Sequence, residues 1–103
     1  MADIKTLTEQ LSKVSEGYVE KFAIRPDGDW YVLKLQEELG ELIQAHLMLT
    51  GQARQKGKSK EEIREELEKE IADVFGMVLL LAKYNNVDIE KALEKKWLVW
   101  SKK

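Results

Sequence analysis

Two short acidic units in this chain have the residue types and the spacing to do chemistry. Glu37-Glu38-Leu39-Gly40-Glu41 is followed, after a gap of 28 residues, by Glu70-Ile71-Ala72-Asp73. On a helix, residues three apart lie about 60° apart around the axis, so an E-x-x-E or E-x-x-D unit points two carboxylates the same way. Two such units on facing helices would gather Glu38, Glu41, Glu70 and Asp73 around one pocket. Close carboxylates raise each other's pKa and cannot all stay ionised without a compensating cation. An oxygen-only ligand set suits a hard ion, Mg²⁺ or else Mn²⁺. The chemistry expected here is that of a four-carboxylate divalent-metal site.

The elements that must position these groups read as helices. The first runs from about Thr6 to Phe22, where Thr6 and Glu9 have the spacing of a capping box. Leu7, Leu11, Val14, Tyr18 and Phe22 mark one apolar face of it. Arg25-Pro26-Asp27-Gly28-Asp29 breaks the chain, and Asp29 is the expected cap of a second helix from Trp30 to Thr50. Its apolar row is Tyr31, Leu35, Leu39, Leu42 and Leu49, with His46 in the same row. Glu38 borders Leu35 and Leu42, and Glu41 lies beside Ala45, so both acids flank a stripe that must be buried. Residues 51–58 form a polar, basic connection. Ser59 and Glu62 then offer a capping box to a long helix from Lys60 to Tyr84.

That third helix changes character midway. Its first half is saturated with charge, whereas residues 71–82 are apolar on every side apart from Asp73 and Gly76. A helix greasy all round must be covered all round. In so short a chain this predicts a homo-oligomer. Asp88 caps a short fourth helix through Ala92, Leu93 and Trp97, and the tail from Trp100 to Lys103 is expected to fray. The fold class predicted is all-α, a four-helix bundle-like subunit, with residues 1–103 as one domain.

Composition narrows the function. The formal charge is −2 with acids and bases interspersed, which lacks the basic stripe of a nucleic-acid binder. There is no cysteine, so disulfide and thiolate chemistry are absent. The stretch Met1-Ala2-Asp3-Ile4-Lys5 has no apolar signal region, and the longest apolar run, residues 74–82, is too short for a membrane span. A cytoplasmic protein without nucleic-acid or membrane partners is expected.

Each acidic unit alone would be an ordinary solvated face. Asp73, set just before Val74-Phe75, tips the balance, since an aspartate among apolar residues is desolvated. A buried ion pair with Lys or Arg is the structural alternative. Neither Glu38 nor Glu70 is followed by a His three positions on, which disfavours the Glu-x-x-His chemistry of di-iron bundles. Lys34 could contact an anionic ligand and Trp30 could stack on a flat one, although a surface lysine and core or interface packing are their plainer roles. His46 and Met48 read as packing residues, as do Trp97 and Trp100.

The paired signature Glu37-Glu38-x-x-Glu41 and Glu70-x-x-Asp73 resembles that of the MazG-like all-α nucleoside triphosphate pyrophosphohydrolases. The resemblance covers about residues 30–97, including the closing helix around Val87 to Lys96. It implies Mg²⁺-dependent hydrolysis of an NTP or dNTP to the monophosphate and pyrophosphate, with nucleotide-pool house-cleaning as one role. It further implies Glu38, Glu41, Glu70 and Asp73 as metal ligands, Glu37 orienting or deprotonating the attacking water, Lys96 approaching the phosphates, and assembly as a homodimer or homotetramer. The competing reading is a non-catalytic helical oligomerisation or interaction module whose acids are only charged surface. A related enzyme acting on another pyrophosphate-linked nucleotide is a third.

Overall fold

The computed structural model describes residues 3–102, which fold into helices joined by short turns with no strand among them. Helix α1 spans Ile4–Lys21, α2 Gly28–Leu49, α3 Lys60–Tyr84 and α4 Ile89–Lys96; a short 3-10 helix, Leu98–Lys102, follows. The terminal Met1, Ala2 and Lys103, which entered the sequence reading of the two ends, lie outside the described residues.

Side-chain caps fix where the helices start. Ser59 and Glu62 form the expected capping box, the Glu62 N–H donating to Ser59 Oγ (3.1 Å) and the Ser59 N–H to Glu62 Oε1 (2.9 Å). Asp88 caps α4, accepting from the Lys91 N–H at 3.1 Å. Two expected starts move. Asp3, not Thr6, caps α1 by accepting from the Thr6 N–H at 2.8 Å. Asp27, not Asp29, caps α2 by accepting from the Trp30 N–H at 2.8 Å. Asp29 then falls in the first turn, where a negative charge faces the positive end of the helix dipole. Gly51, at φ +78°, ends α2 in the left-handed conformation that a side chain would oppose.

Helices α2 and α3 run antiparallel and make the main packing of the molecule: Tyr31 meets Tyr84, their ring centroids 5.1 Å apart, while Glu41 farther along meets Glu70 coming back. The buried apolar residues are Ala45 and Met48 from α2 and Ile63, Leu79 and Leu80 from α3. Ile63 and Leu79 are fully enclosed.

Helix α1 lies on α3 with an unexpected face. Ile4, Thr8, Leu11, Ser12, Ser15 and Val19 turn inward, whereas Leu7, Val14, Tyr18 and Phe22 are largely exposed. The expected apolar row, apart from Leu11, therefore does not seat the helix. A polar tie helps to do so instead: Lys83 Nζ donates to the buried Ser12 Oγ at 2.7 Å. Gly76 of α3 and the side chain of Leu11 complete that contact.

Helix α4 packs chiefly against the 3-10 helix that follows it and buries no residue fully. Trp97 and Trp100, expected to pack, are 68% and 66% exposed. The stretch 98–102 winds into a helical turn rather than fraying.

The assembly is open. Its radius of gyration is 16.3 Å, against about 13 Å for a compact domain of this length. Its accessible surface is 8265 Å², against about 6,000 Å² for a compact monomer of 12.0 kDa. The four helices do not close into a bundle within one chain.

The division between enclosed and outward apolar residues is measurable. Ile63→Ala should lower the unfolding free energy by about 2–4 kcal/mol in a guanidinium titration, through lost transfer energy and a cavity. Val14→Ala, at a position 73% exposed, should change it by less than about 0.5 kcal/mol when the protein is dilute enough to be monomeric.

Candidate metal centre

Glu38 and Glu41 stand one turn apart on α2, and Glu70 meets them from α3. One carboxylate oxygen from each lies within 4.8 Å of the other two. The antiparallel register brings these groups together from residues about thirty apart in sequence. Ala45, buried one turn beyond Glu41, anchors that side of α2 in the core.

Glu38 and Glu70 are half-buried and Glu41 is exposed. The Oε2 atoms of Glu38 and Glu70 are shut off from solvent, and neither has a hydrogen-bond partner among the described residues. A carboxylate oxygen in that state keeps a desolvation cost, which for Glu38 the charge of Lys34 offsets only in part. The ion pairs among the described residues are Lys34–Glu37 at 3.0 Å, Lys58–Glu66, and Arg64–Glu68 at 3.9 Å. None of them neutralises the cluster, so the ion-pair alternative does not account for it.

The electrostatic result is a raised affinity for protons. Burial, and then the charges of Glu41 and Asp73, push Glu38 up to about 7 from an ordinary 4.5. Glu70 is raised too, by burial first and then by Glu41 and Asp73. Glu41 is thus the charge that both half-buried acids feel most.

Asp73 stands differently from expectation. It is exposed, one turn from half-buried Glu70, on a part of α3 that α2 does not cover. It lies outside the close triad, yet its charge acts on both Glu38 and Glu70. It borders the cluster from the solvent side.

The other residues singled out from the sequence are scattered. Glu37 is exposed and accepts from Lys34 Nζ at 3.0 Å. Trp30 is half-buried in the first turn of α2, edge-on to Tyr31 at 5.1 Å. Lys96 sits on α4, outside the triad and the hollow beside it. His46, expected on the inner face, is exposed, while Met48 is core as expected.

The structure adds two residues that the sequence reading passed over. A hollow of about 250 Å³ opens beside the triad, with Glu41 and Glu70 on its wall and Lys56 and Lys58 of the α2–α3 connection also lining it. The one sequence signal was the Lys-Gly-Lys run in an already basic loop. A larger hollow of about 540 Å³, between the starts of α1 and α4 and the end of α3, contains none of the expected site residues.

Comparison with known proteins finds no matching family model, no similar curated protein and no similar solved structure.

Three carboxylates, two of them with orphaned buried oxygens, fit a hard divalent cation: the donors are all oxygen, negatively charged and already gathered. Without a cation, protonation must relieve the repulsion, and this sets a pH dependence. Glu38 binds its proton more tightly folded than unfolded, so its contribution to stability is whole below about pH 4.5 and is lost as the pH rises through about 7. In chelator-treated protein, Glu38→Gln should therefore gain thermal stability relative to the parent chain as pH is raised from 4.5 to 7.5. Melting midpoints across that range provide the measurement, and parallel curves for the two proteins would contradict the assignment.

Proposed function

We propose that this chain is a MazG-like nucleoside triphosphate pyrophosphohydrolase that converts an NTP or dNTP to the monophosphate and pyrophosphate. The observation that supports it is the Glu38–Glu41–Glu70 cluster with its unpartnered buried oxygens, formed by the two acidic units whose spacing resembles that family.

Glu38, Glu41 and Glu70 would hold Mg²⁺, or Mn²⁺, with Asp73 completing the set from the solvent side. A divalent cation there supplies Lewis acidity and the positive charge that lets a polyanionic triphosphate approach an acidic pocket. In the reaction a water oxygen bonds to the α-phosphorus as the bond from that phosphorus to the bridging oxygen breaks. The electron pair leaves with pyrophosphate, and the water's proton passes through a carboxylate to solvent. Glu37 and Glu38 are the carboxylates assigned to that proton; Glu37 is exposed and pairs with Lys34, and Glu38 gives up its raised proton affinity once it holds a cation. Lys34, Trp30 and Lys96 remain assigned to substrate contacts.

The enzyme reading includes a homodimer or homotetramer in the cytoplasm. Support for assembly comes from the outward row Leu7, Val14, Tyr18 and Phe22 on α1 and from exposed Ile71 and Phe75 on α3. The surface in excess of a compact monomer surpasses the roughly 800 Å² that each partner buries in a standard interface. The same exposed residues favour the rival interaction module, which needs no cation. No helix among the described residues is long and apolar enough to cross a membrane.

Pyrophosphate release should be detected from a panel of canonical and modified NTPs and dNTPs with Mg²⁺ and vanish on chelation. Glu41→Gln and Glu70→Gln should each lower turnover by about a hundredfold or more, the scale of losing a charge-stabilising group, with helical circular dichroism retained. Millimolar Mg²⁺ should raise the melting midpoint of the parent chain, because it binds the folded form alone. A melt indifferent to Mg²⁺, with no pyrophosphate from any substrate, would favour the interaction module. Sedimentation velocity at micromolar concentration should give a dimer or tetramer.

A further inference from the structure

The hollow beside the triad is lined by both signs of charge. Glu41 and Glu70 belong to the carboxylate cluster, Glu66 joins them from α3, Lys56 and Lys58 come from the loop, and Ala45 and Met48 add apolar wall. The loop is held in place rather than merely adjacent. Gln55 Nε2 donates to the Met48 carbonyl at 3.0 Å, tying the loop to the end of α2, and the Lys58 N–H donates to the Gln55 carbonyl at 3.0 Å. Between those two bonds, Lys56 takes φ +54° and Gly57 φ +75°. A lysine in the left-handed region is uncommon and persists only where its surroundings impose it.

The two ammonium groups are differently engaged. Lys58 pairs with Glu66, one turn before Glu70 on α3, which holds its head group at the hollow. An ammonium has three N–H donors, so that pair leaves two for a ligand. Lys56 has no ion pair or hydrogen-bond partner for its side chain among the described residues. Two cations on the wall of a cavity that opens onto a cation-requiring carboxylate cluster are suited to a ligand with several negative charges in a row.

We propose that Lys56 and Lys58 form the anion-binding half of the site, contacting the pyrophosphoryl portion of the nucleotide while its α-phosphate lies at Glu38, Glu41 and Glu70. The polarity follows from the chemistry and rests on the hydrolase reading above. The scissile bond must lie at the carboxylates; Lys34 stands on the Glu38 side of them, and the hollow on the Glu41 and Glu70 side offers two lysines to the phosphates beyond that bond. The loop lysines then contribute to substrate binding and to stabilising charge on the leaving group.

The test uses the full chain with inorganic pyrophosphate in Mg²⁺ buffer, followed by isothermal titration calorimetry, alongside steady-state kinetics on the best NTP. Lys56→Gln and Lys58→Gln should each weaken pyrophosphate binding about tenfold or more, the loss expected for a charge-assisted hydrogen bond. KM for the triphosphate should rise by more than kcat falls, Lys→Arg at either position should recover most of the affinity, and Lys13→Gln on the solvent side of α1 should have no effect on either measurement. Hydrolysis by the parent chain with pyrophosphate affinity and KM unaltered in the Lys56→Gln/Lys58→Gln double variant would overturn this subsite and leave the hydrolase reading standing. Lysine-dependent pyrophosphate binding without hydrolysis of any triphosphate would support the subsite and remove the hydrolase reading. A parent chain that neither hydrolyses triphosphates nor binds pyrophosphate would overturn both.

Discussion

Mutual repulsion among three carboxylates, held together by two helices and joined by no lysine or arginine in an ion pair among the described residues, is the constraint on which this structure turns. Each orphaned buried oxygen costs about 1–3 kcal/mol relative to one with a partner. Burial of a large aliphatic side chain contributes about 1.5–3 kcal/mol. Ile63, fully enclosed about two turns before Glu70 on α3, together with Ala45 and Met48 on α2, is sufficient in scale to keep the two helices closed over Glu38 and Glu70. The packing holds the acids in place without satisfying them. A site with that imbalance has a built-in affinity for positive charge, either a proton or a cation.

The other charges on the hairpin show the contrast. Arg64 and Glu68 pair one turn apart on α3 with both side chains about two-thirds exposed. Such a pair is screened and adds little to stability. The triad differs in being part-desolvated and of one sign, so its charges are less screened than those of the surface pair. Along α3 the chain thus moves from a solvated charged stretch, through Glu66 and its loop lysine, to the half-buried Glu70.

Hydrophobic burial is incomplete within one chain. Helix α1 is seated partly through serines, a glycine contact and the Lys83–Ser12 hydrogen bond, while most of its apolar row faces outward. Leu11 is the member of that row that turns toward α3, at the contact with Gly76. The outward row and the exposed aromatic residues around α4 give the molecule its large surface and extended outline. The apolar periodicity of α1 is consistent with burial against another surface, even though it does not describe the contacts within the single chain.

Local chemistry was legible in the sequence. The capping box at Ser59 and Glu62, the Asp88 cap and the bounds of α3 depend on neighbours within one turn, and they stand where the residues alone put them. The two acidic units were legible for the same reason, since helical spacing dictates which carboxylates share a face. Competition between equivalent groups was not: Asp27 and Asp29 are both adequate caps, as are Asp3 and Thr6, and the choice between them depends on the path of the chain before the helix. Tertiary packing alone decided that Glu41, and not Asp73, closes the tight triad, because coverage by α2 stops short of that side of α3. It also decided that α1 turns its serines inward and that a lysine pair from a distant loop borders the acids. Periodicity records which faces of a helix are alike, but only the arrangement of neighbouring helices determines which face is covered, and by what.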